Sequence, residues 1–505
     1  MKQALTAWLA AAAATEDPVQ AARAAAEAVA GDPWRVVTTA GRLARCRLDH
    51  AERDLSLGAA LRPLRSDSPR GLVRVPRGAP YPASDVAGRR RRGAWDTSPE
   101  MARRLVDMAL TGRPRLSTAL DPACGPGVFL VAASERGLHV TGADLDAAAL
   151  AVARVAVPAA ELVQADAFQG GELAELVVGN PPFVPPERQD KALRRALRAR
   201  YDWLEGRFDL AVPFAAAASE RVAPGGRLAL VLPWSVLVER YGRGLRRQWL
   251  RGARIKALPE RERFPGASVY VGLLVLQPDA SPAPLAPSGL EPSELLELED
   301  APFDRHLRPG DVALLRTAQA RSRPLASCCV IDTGVVAHGP DGGKRRLIRD
   351  HAGPGTVPFA DARQFFSGEV LHLTWEPDRM HRPKSLELFA GEKVLVQRLR
   401  GDGPIRVGVD ATGLVPGHTL LVVKPGPDCP VDAAALARLL SDPITAGLVR
   451  LARGRRLDLY PRDLGAVCVP DIWWRDPGRP LGAGLGLTRA QVKRLQALAP
   501  EAAGP

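Results

Sequence analysis

A chain of 505 residues, 46% of them hydrophobic, is long enough for roughly two to four domains with cores of their own and needs no covalent staple to fold. The net charge of +13, carried mostly by arginine, suits a polyanionic partner and equally suits the arginine bias of a GC-rich genome, so charge alone does not choose between them. The six cysteines (Cys46, Cys124, Cys328, Cys329, Cys429 and Cys468) form no Cys-x-x-Cys pair, and no apolar run has membrane-spanning length; no metal, no disulfide framework and no membrane are expected, and a cytoplasmic, soluble protein is.

The opening MKQALTAWLAAAAATED meets Glu16 and Asp17 too early for a signal peptide and reads as an amphipathic helix. Residues 1–92 are predicted as a helical N-terminal extension, broken at GDPWR (31–35), followed by a basic linker that ends in GRRRRG (88–93). From 93 to 278, six apolar runs alternate with helix-length intervals: LSTALDPA, LHVTGAD, AELVQAD, AELVVGN, GRLALVLP and YVGLLVLQ. That alternation predicts an α/β domain on a doubly wound, mainly parallel sheet. A proline-rich linker is expected over 279–310, a mixed α+β domain over 311–477, and a Gly, Pro and Ala-rich tail over 478–505.

Four strand ends carry the chemistry. The first runs into DPACGPGVFL (121–130), where Gly125 and Gly127 let a loop approach a ligand before a helix begins. The second ends at Asp144 in TGADLD, where a carboxylate can accept hydrogen bonds from both hydroxyls of a ribose. QADAF then places Asp166 for an exocyclic amine and Phe168 for the flank of a purine. The fourth, ELVVGNPPFV (175–184), stops in Asn180, Pro181, Pro182 and Phe183, and two successive prolines end the ladder in a rigid, extended turn. Each alone is an ordinary turn or surface acid. Together, in register, they point to an adenosine-type ligand.

These residues resemble the DNA adenine-N6 methyltransferases in which the cofactor domain precedes the target-recognition domain, similar to the TaqI-type enzymes. The resemblance covers about residues 93 to 475. In it, GAWDTSPEMARRLVDMAL sets Thr97 and Pro99 at a turn over the methionine end of S-adenosylmethionine. It implies a Rossmann-like domain that holds this cofactor through Thr97, Asp121, Ala123, Gly125 and Gly127, with Asp144, Asp166, Phe168 and Asn180 completing the set. Three departures stand out: Phe183 replaces the usual tyrosine, Trp95-Asp96 replaces a commoner aromatic pair, and Phe168 sits one position late. None removes a required functional group.

The resemblance makes Asn180-Pro181-Pro182-Phe183 the catalytic tetrapeptide. The side-chain oxygen of Asn180 and the carbonyl of Pro181 would accept the two amino hydrogens of a target adenine, aiming its lone pair at the methyl group. A base inside duplex DNA must first be extruded, at an unstacking cost of about a few kcal/mol that stacking on Phe183 and Phe264 would offset; Phe264 reads equally as a core residue. Candidate DNA contacts in the second domain are Lys344, Arg345 and Arg346 in DGGKRRL, Arg398 and Arg400 in VQRLRGDG, and Arg453, Arg455 and Arg456 in ARGRRLDLYPRD. Each also reads as part of a solvated face. The implied function is site-specific adenine methylation of double-stranded DNA near the nucleoid, in restriction-modification or phage defence, with a companion restriction or defence protein possible. Alternatives are a protein-glutamine or RNA N-methyltransferase, or a non-catalytic DNA-binding subunit.

Overall fold

The computed structural model describes residues 2–49, 54–56, 72–74, 81–84, 96–112, 116–264, 269–337, 347–380, 384–398, 404–456 and 458–499. They fall into two compact units, Met1–Leu296 with Ala301–Arg305, and Glu297–Asp300 with His306–Pro505.

The first unit is built on an eight-stranded sheet. Its strands are β1 (Thr118–Asp121), β2 (His139–Asp144), β3 (Glu161–Gln164), β4 (Ala174–Gly179), β5 (Val222–Pro233), β6 (Ala253–Ile255), β7 (Glu262–Arg263) and β8 (Tyr270–Pro278). The order is β6-β8-β5-β4-β1-β2-β3, with β7 beside β8. The five strands from β5 to β3 run parallel, and β6, β7 and β8 pair antiparallel at the other side. Helices cover both faces of a parallel sheet, so its central strands carry continuous apolar runs: Leu176, Val177 and Val178 of β4 are all fully buried. The chain leaves β1 toward β2 and returns from β3 to β4 on the far side of β1. The switch point of the sheet therefore lies between β1 and β4, where the loops diverge and leave a crevice. Asp121 ends one of these strands and Asn180 follows the other.

The N-terminal region is not helical throughout, and it belongs to the same unit as the sheet. Helices α1 (Lys2–Thr15) and α2 (Pro18–Glu27) are followed by short paired strands, Cys46–Asp49 with Tyr81–Ser84 and Asp54–Ser56 with Leu72–Arg74. Asp17 caps α2 by accepting from Val19 N at 2.8 Å, ahead of Pro18 at the first helical position. The buried face of α2 is Ala21, Ala22, Ala25 and Ala26. Such small side chains let α2 pack closely on α3 (Ala147–Ala156), the helix that follows the Asp144 strand. Residues 279–310, expected as a linker, contain fully buried Leu285, Leu290 and Leu295 and the helix Pro292–Glu297. Apolar residues spaced among the prolines anchor that stretch.

The second unit contains two four-stranded sheets. One runs Cys329–Thr333, Leu420–Pro425, Lys393–Gln397, Val407–Asp410, all antiparallel. The other runs Ile348–Arg349, Leu371–Thr374, Thr356–Ala360, Val415–Pro416. Phe359, Leu373, Phe389 and Val422 pack in their shared core. Helices Pro443–Arg453 and Arg489–Leu498 pack against each other. No helix among the described residues is long and apolar enough to cross a membrane.

Candidate functional site

A cleft of about 1140 Å³ opens at the switch point of the first unit. This exceeds the ~300–1,000 Å³ usual for one small ligand. It is lined at the β1 end by Asp121, Ala123 and Gly125, at the next two strand ends by Asp144, Asp166 and Phe168, and at the β4 end by Asn180 and Pro182. Thr97 and Phe264 also line it.

The glycine loop is shaped by backbone geometry. Gly125 has φ +53° and Gly127 φ +95°, conformations that side chains rarely adopt, and Gly127 opens the helix Val128–Ser134. Gly125 N donates to Asp144 Oδ2 at 2.7 Å, and Asp146 N donates to Asp144 Oδ1 at 2.8 Å. Burial holds the Asp144 carboxyl above its ordinary range, against the pull of those two N–H groups and of Arg45. Asp144 thus links the glycine loop to the turn after β2.

Asp121 is 1% exposed. Its Oδ1 accepts from Ala123 N at 3.1 Å, while its Oδ2 is buried with no hydrogen-bond partner among the described residues. Burial pushes this carboxyl up to about 8, and the neighbouring Asp144 adds repulsion. A Cβ at Gly179 would lie 2.8 Å from Asp121 Oδ1, so β4 approaches this acid as closely as it does because residue 179 is glycine. An orphaned polar atom on a cleft wall marks a place for a cationic or hydrogen-bonding ligand group.

Asp166 caps a short 3-10 turn by accepting from Phe168 N at 3.0 Å. The Phe168 ring meets Phe214 edge to face at 6.2 Å. At the β4 end, the Asn180 side-chain nitrogen donates to Thr97 Oγ1 at 3.1 Å. The loop beyond is braced by buried Gln189, whose side-chain nitrogen donates to the carbonyls of Val184 and Phe208, both at 2.7 Å. Phe183 is buried and meets Phe264 edge to face at 6.3 Å. Phe264 borders the cleft but is only 1% exposed, in keeping with the core position that the sequence also allows for it.

The N-terminal region supplies a wall that the sequence did not reveal: Pro18, Val19, Thr38, Arg42 and Arg45 all line the cleft. Arg45 is ion-paired with Asp96, next to Thr97, and a Cβ on Gly125 would lie 2.9 Å from its Nη2. A guanidinium is thereby held at the glycine loop. No motif marks Arg45, because its place depends on α2 packing against α3.

The candidate DNA contacts divide. Lys344, Arg345, Arg346 and Arg400 lie outside the described residues. The expectation for Arg453 and Arg456 is corrected. Both are buried, Arg456 paired with Asp300 and Asp463, and Arg453 with Asp463 at 3.3 Å, since a buried guanidinium requires carboxylates. Arg455 is half-buried beside His306 Nε2 at 3.1 Å. Arg398 lies over the Tyr460 ring at 5.3 Å and 4.0 Å from Asp458.

Residues 162–260 match the family model of the Eco57I restriction-modification methylase, and residues 120–175 match a general methyltransferase domain. The chain is 36% identical over 153 residues to a trans-aconitate 2-methyltransferase of Paracidovorax citrulli, which covers 27% of this chain and 50% of that one. It is 39% identical over 72 residues to the Type II methyltransferase M.XhoI of Xanthomonas vasicola, covering 14% of this chain and 13% of that one. These matches thus span half or less of each relative. Among solved structures, the Type IIL restriction-modification enzyme MmeI, in complex with DNA, is similar in fold, with a TM-score of 0.53 at 13% identity over 82% of this chain and 76% of that one.

Proposed function

We propose, on the premise that this chain belongs to the DNA methyltransferase family, that it methylates the N6 amine of an adenine flipped out of duplex DNA, with S-adenosylmethionine as donor. The observation that carries this reading is Asn180, fixed by Thr97 at the β4 end of the cleft, beside the switch point from Asp121.

The residues present fit the donor. Asp144 has the position and charge for ribose hydroxyls, Asp166 and Phe168 for adenine, and the orphaned oxygen of Asp121 for the ammonium of the methionine end. Arg45, held at the glycine loop, suits the carboxylate of that same end. Bound S-adenosylmethionine supplies an electrophilic methyl group. The chain's own contribution is orientation: the Asn180 side-chain oxygen and the Pro181 carbonyl accept the two amino hydrogens, which draws the nitrogen lone pair out of conjugation and aims it. Pro181 and Pro182 keep those acceptors rigid. Phe183 and Phe264, 8% and 1% exposed and edge to face at 6.3 Å, are the rings proposed to stack on the extruded base, which requires their faces to open as the base enters.

A carboxylate substrate, such as that named for the trans-aconitate relative, has no N–H for an amide acceptor to engage, so the Asn-Pro-Pro turn favours a nitrogen nucleophile. The second unit is the proposed reader of flanking sequence, with Arg398 and Arg455 among the described residues, and Lys344, Arg345, Arg346 and Arg400 outside them, as candidates. Modification-sensitive sequencing of DNA from a host expressing the wild type or Asn180→Ala tests the reading. N6-methyladenine at a defined motif, absent with the variant, supports it. Unmodified DNA alongside methyl transfer to a glutamine peptide or to RNA would replace it with one of those substrates.

A further inference from the structure

The second unit brings the Cys429 thiol to the adjacent pair Cys328 and Cys329, about a hundred residues earlier in the sequence. Cys328 and Cys329 stand at the start of the strand Cys329–Thr333, where Cys329 lies opposite Pro425. The chain leaving Pro425 turns at once: Gly426 N donates to Cys328 O at 2.8 Å, and Cys429 N donates to Gly426 O at 3.0 Å. A Cβ on residue 426 would fall 2.7 Å from Cys328 O, so the turn closes this tightly only over glycine. Cys429 is thereby returned over the cysteine pair. The three Sγ atoms all lie within 4.8 Å of one another, those of Cys328 and Cys329 at 4.0 Å.

We propose that Cys328, Cys329 and Cys429 bind one closed-shell thiophilic cation, Cu(I) or Zn(II), through three thiolate sulfurs. A metal–sulfur bond of about 2.3 Å sets sulfur–sulfur distances of roughly 4 Å in a trigonal or tetrahedral shell. The Cys328–Cys329 separation already matches that, and small rotations of Cys429 close the remainder. Three sulfurs select a soft ion, whereas magnesium and calcium require oxygen. No histidine nitrogen or carboxylate oxygen joins the cluster among the described residues, so three sulfurs, with solvent as any fourth ligand, make the shell. Cys329 is buried and anchors the site; Cys328 and Cys429 are half-buried, which leaves the ion a path in. Sulfur binds such an ion as thiolate, so binding releases protons and strengthens as pH rises.

The test is titration of the reduced, full-length chain under anaerobic conditions, with Cu(I) delivered from a chromophoric chelator complex in one arm and Zn(II) against a competing chelator in the other. The expected result is one equivalent bound, affinity lowered at least about tenfold in Cys328→Ser and Cys429→Ser and unchanged in Cys46→Ser. X-ray absorption separates the arms: three sulfur scatterers alone for Cu(I), three sulfurs and one oxygen for Zn(II). Protection of Cys328 and Cys429 from iodoacetamide by the bound ion gives a readout on the wild type that does not depend on any variant folding. Failure of both ions to bind stoichiometrically, binding that survives both substitutions, or alkylation at the same rate with and without metal would each overturn the proposal.

Discussion

The side-chain nitrogen of Asn180 donates to Thr97 Oγ1 at 3.1 Å, which ties the end of β4 to the residue just ahead of Ser98, the cap of the helix Pro99–Leu110. That bond sets which end of the amide faces Thr97. Thr97→Val removes the hydroxyl at nearly constant volume and lets the amide rotate. The expected outcome is a fall of about tenfold in turnover, the equivalent of one lost hydrogen bond of ~1 kcal/mol or slightly more. Asn180→Ala should lower methyl transfer by about 10²–10³-fold with cofactor affinity little changed. Single-turnover rates alongside calorimetric Kd values check both. Near-normal turnover in Asn180→Ala would remove the amide from the mechanism.

Asp144 accepts from Gly125 N and Asp146 N as well as facing the cleft, so its replacement acts twice. Asp144→Ala should weaken S-adenosylmethionine binding by about ten- to a hundredfold, through the ribose and through a loosened glycine loop. Asp144→Asn keeps an acceptor oxygen and should recover part of that loss. Equal affinities for wild type and Asp144→Ala in calorimetry would show that the ribose lies elsewhere.

Asp121 carries the pH dependence. Burial raises its folded pKa to about 8 from an ordinary carboxylate value, so the folded state holds the proton more tightly than the unfolded chain. Its contribution to stability is complete below the unfolded pKa and is lost as pH rises from about 4 through 8. Asp121→Asn is always neutral and should flatten the dependence of the unfolding midpoint on pH in that window. An ammonium placed against Asp121 favours its carboxylate, so cofactor binding near pH 7 should release a proton in the wild type and not in Asp121→Asn. Calorimetry in two buffers of different ionisation enthalpy reads that proton. Equal pH slopes of the unfolding midpoint for the two proteins would contradict a buried neutral Asp121.

The four strand ends were legible because each signal is local: a glycine turn, an acid closing a strand, a double proline after an apolar run. The antiparallel side of the sheet was less so, since an apolar run such as YVGLLVLQ carries no mark of direction. Arg45 was illegible. It lies in an unremarkable stretch, and its place at Gly125 depends on α2 packing on α3, which an alanine face does not disclose. Arg456 was misread for a related reason. Its neighbour Arg455 looks identical in the sequence, and of the two carboxylates that hold Arg456 only Asp463 lies nearby, while Asp300 is 156 residues away.

Lys393 is fully buried and pairs with Asp410, whose carboxylate also accepts from Thr412 Oγ1 at 2.6 Å and Leu414 N at 3.1 Å. Burial alone would raise the Asp410 pKa, but the Lys393 and Thr412 hydrogen bonds hold it below the ordinary range. Asp410→Ala strands a buried ammonium and should destabilise the second unit by about 3–5 kcal/mol. Replacing both partners with apolar residues of similar size should cost far less. Denaturant unfolding of the single and double variants decides, and additive losses would mean that the two groups do not act as a pair.

The arginines of the second unit should separate into two experimental classes. Arg456 is 2% exposed and bridges Asp300 and Asp463, so Arg456→Ala removes the buried cation that joins the two acids, leaving Asp463 to Arg453 and Asp300 to Arg462 at 3.7 Å, and should lower stability. Any loss of DNA affinity it causes should follow the unfolded fraction and disappear at low temperature. Arg398 is different. Its side chain retains 22% of its exposure, stacks on Tyr460, and lies at 4.0 Å from Asp458, a weak pairing that a phosphate can replace. If Arg398 contacts the backbone of bound DNA, Arg398→Ala should weaken binding on every sequence and reduce the slope of log affinity against log salt by about one. If it reads a base edge instead, the loss should fall on the methylated motif alone, at about 1–3 kcal/mol. Titrations of the full chain at several salt concentrations, on a duplex carrying the motif and on a scrambled one, distinguish these outcomes. Arg398→Ala with wild-type affinity and slope on both duplexes would place the DNA-binding face away from the Arg398–Tyr460 stack.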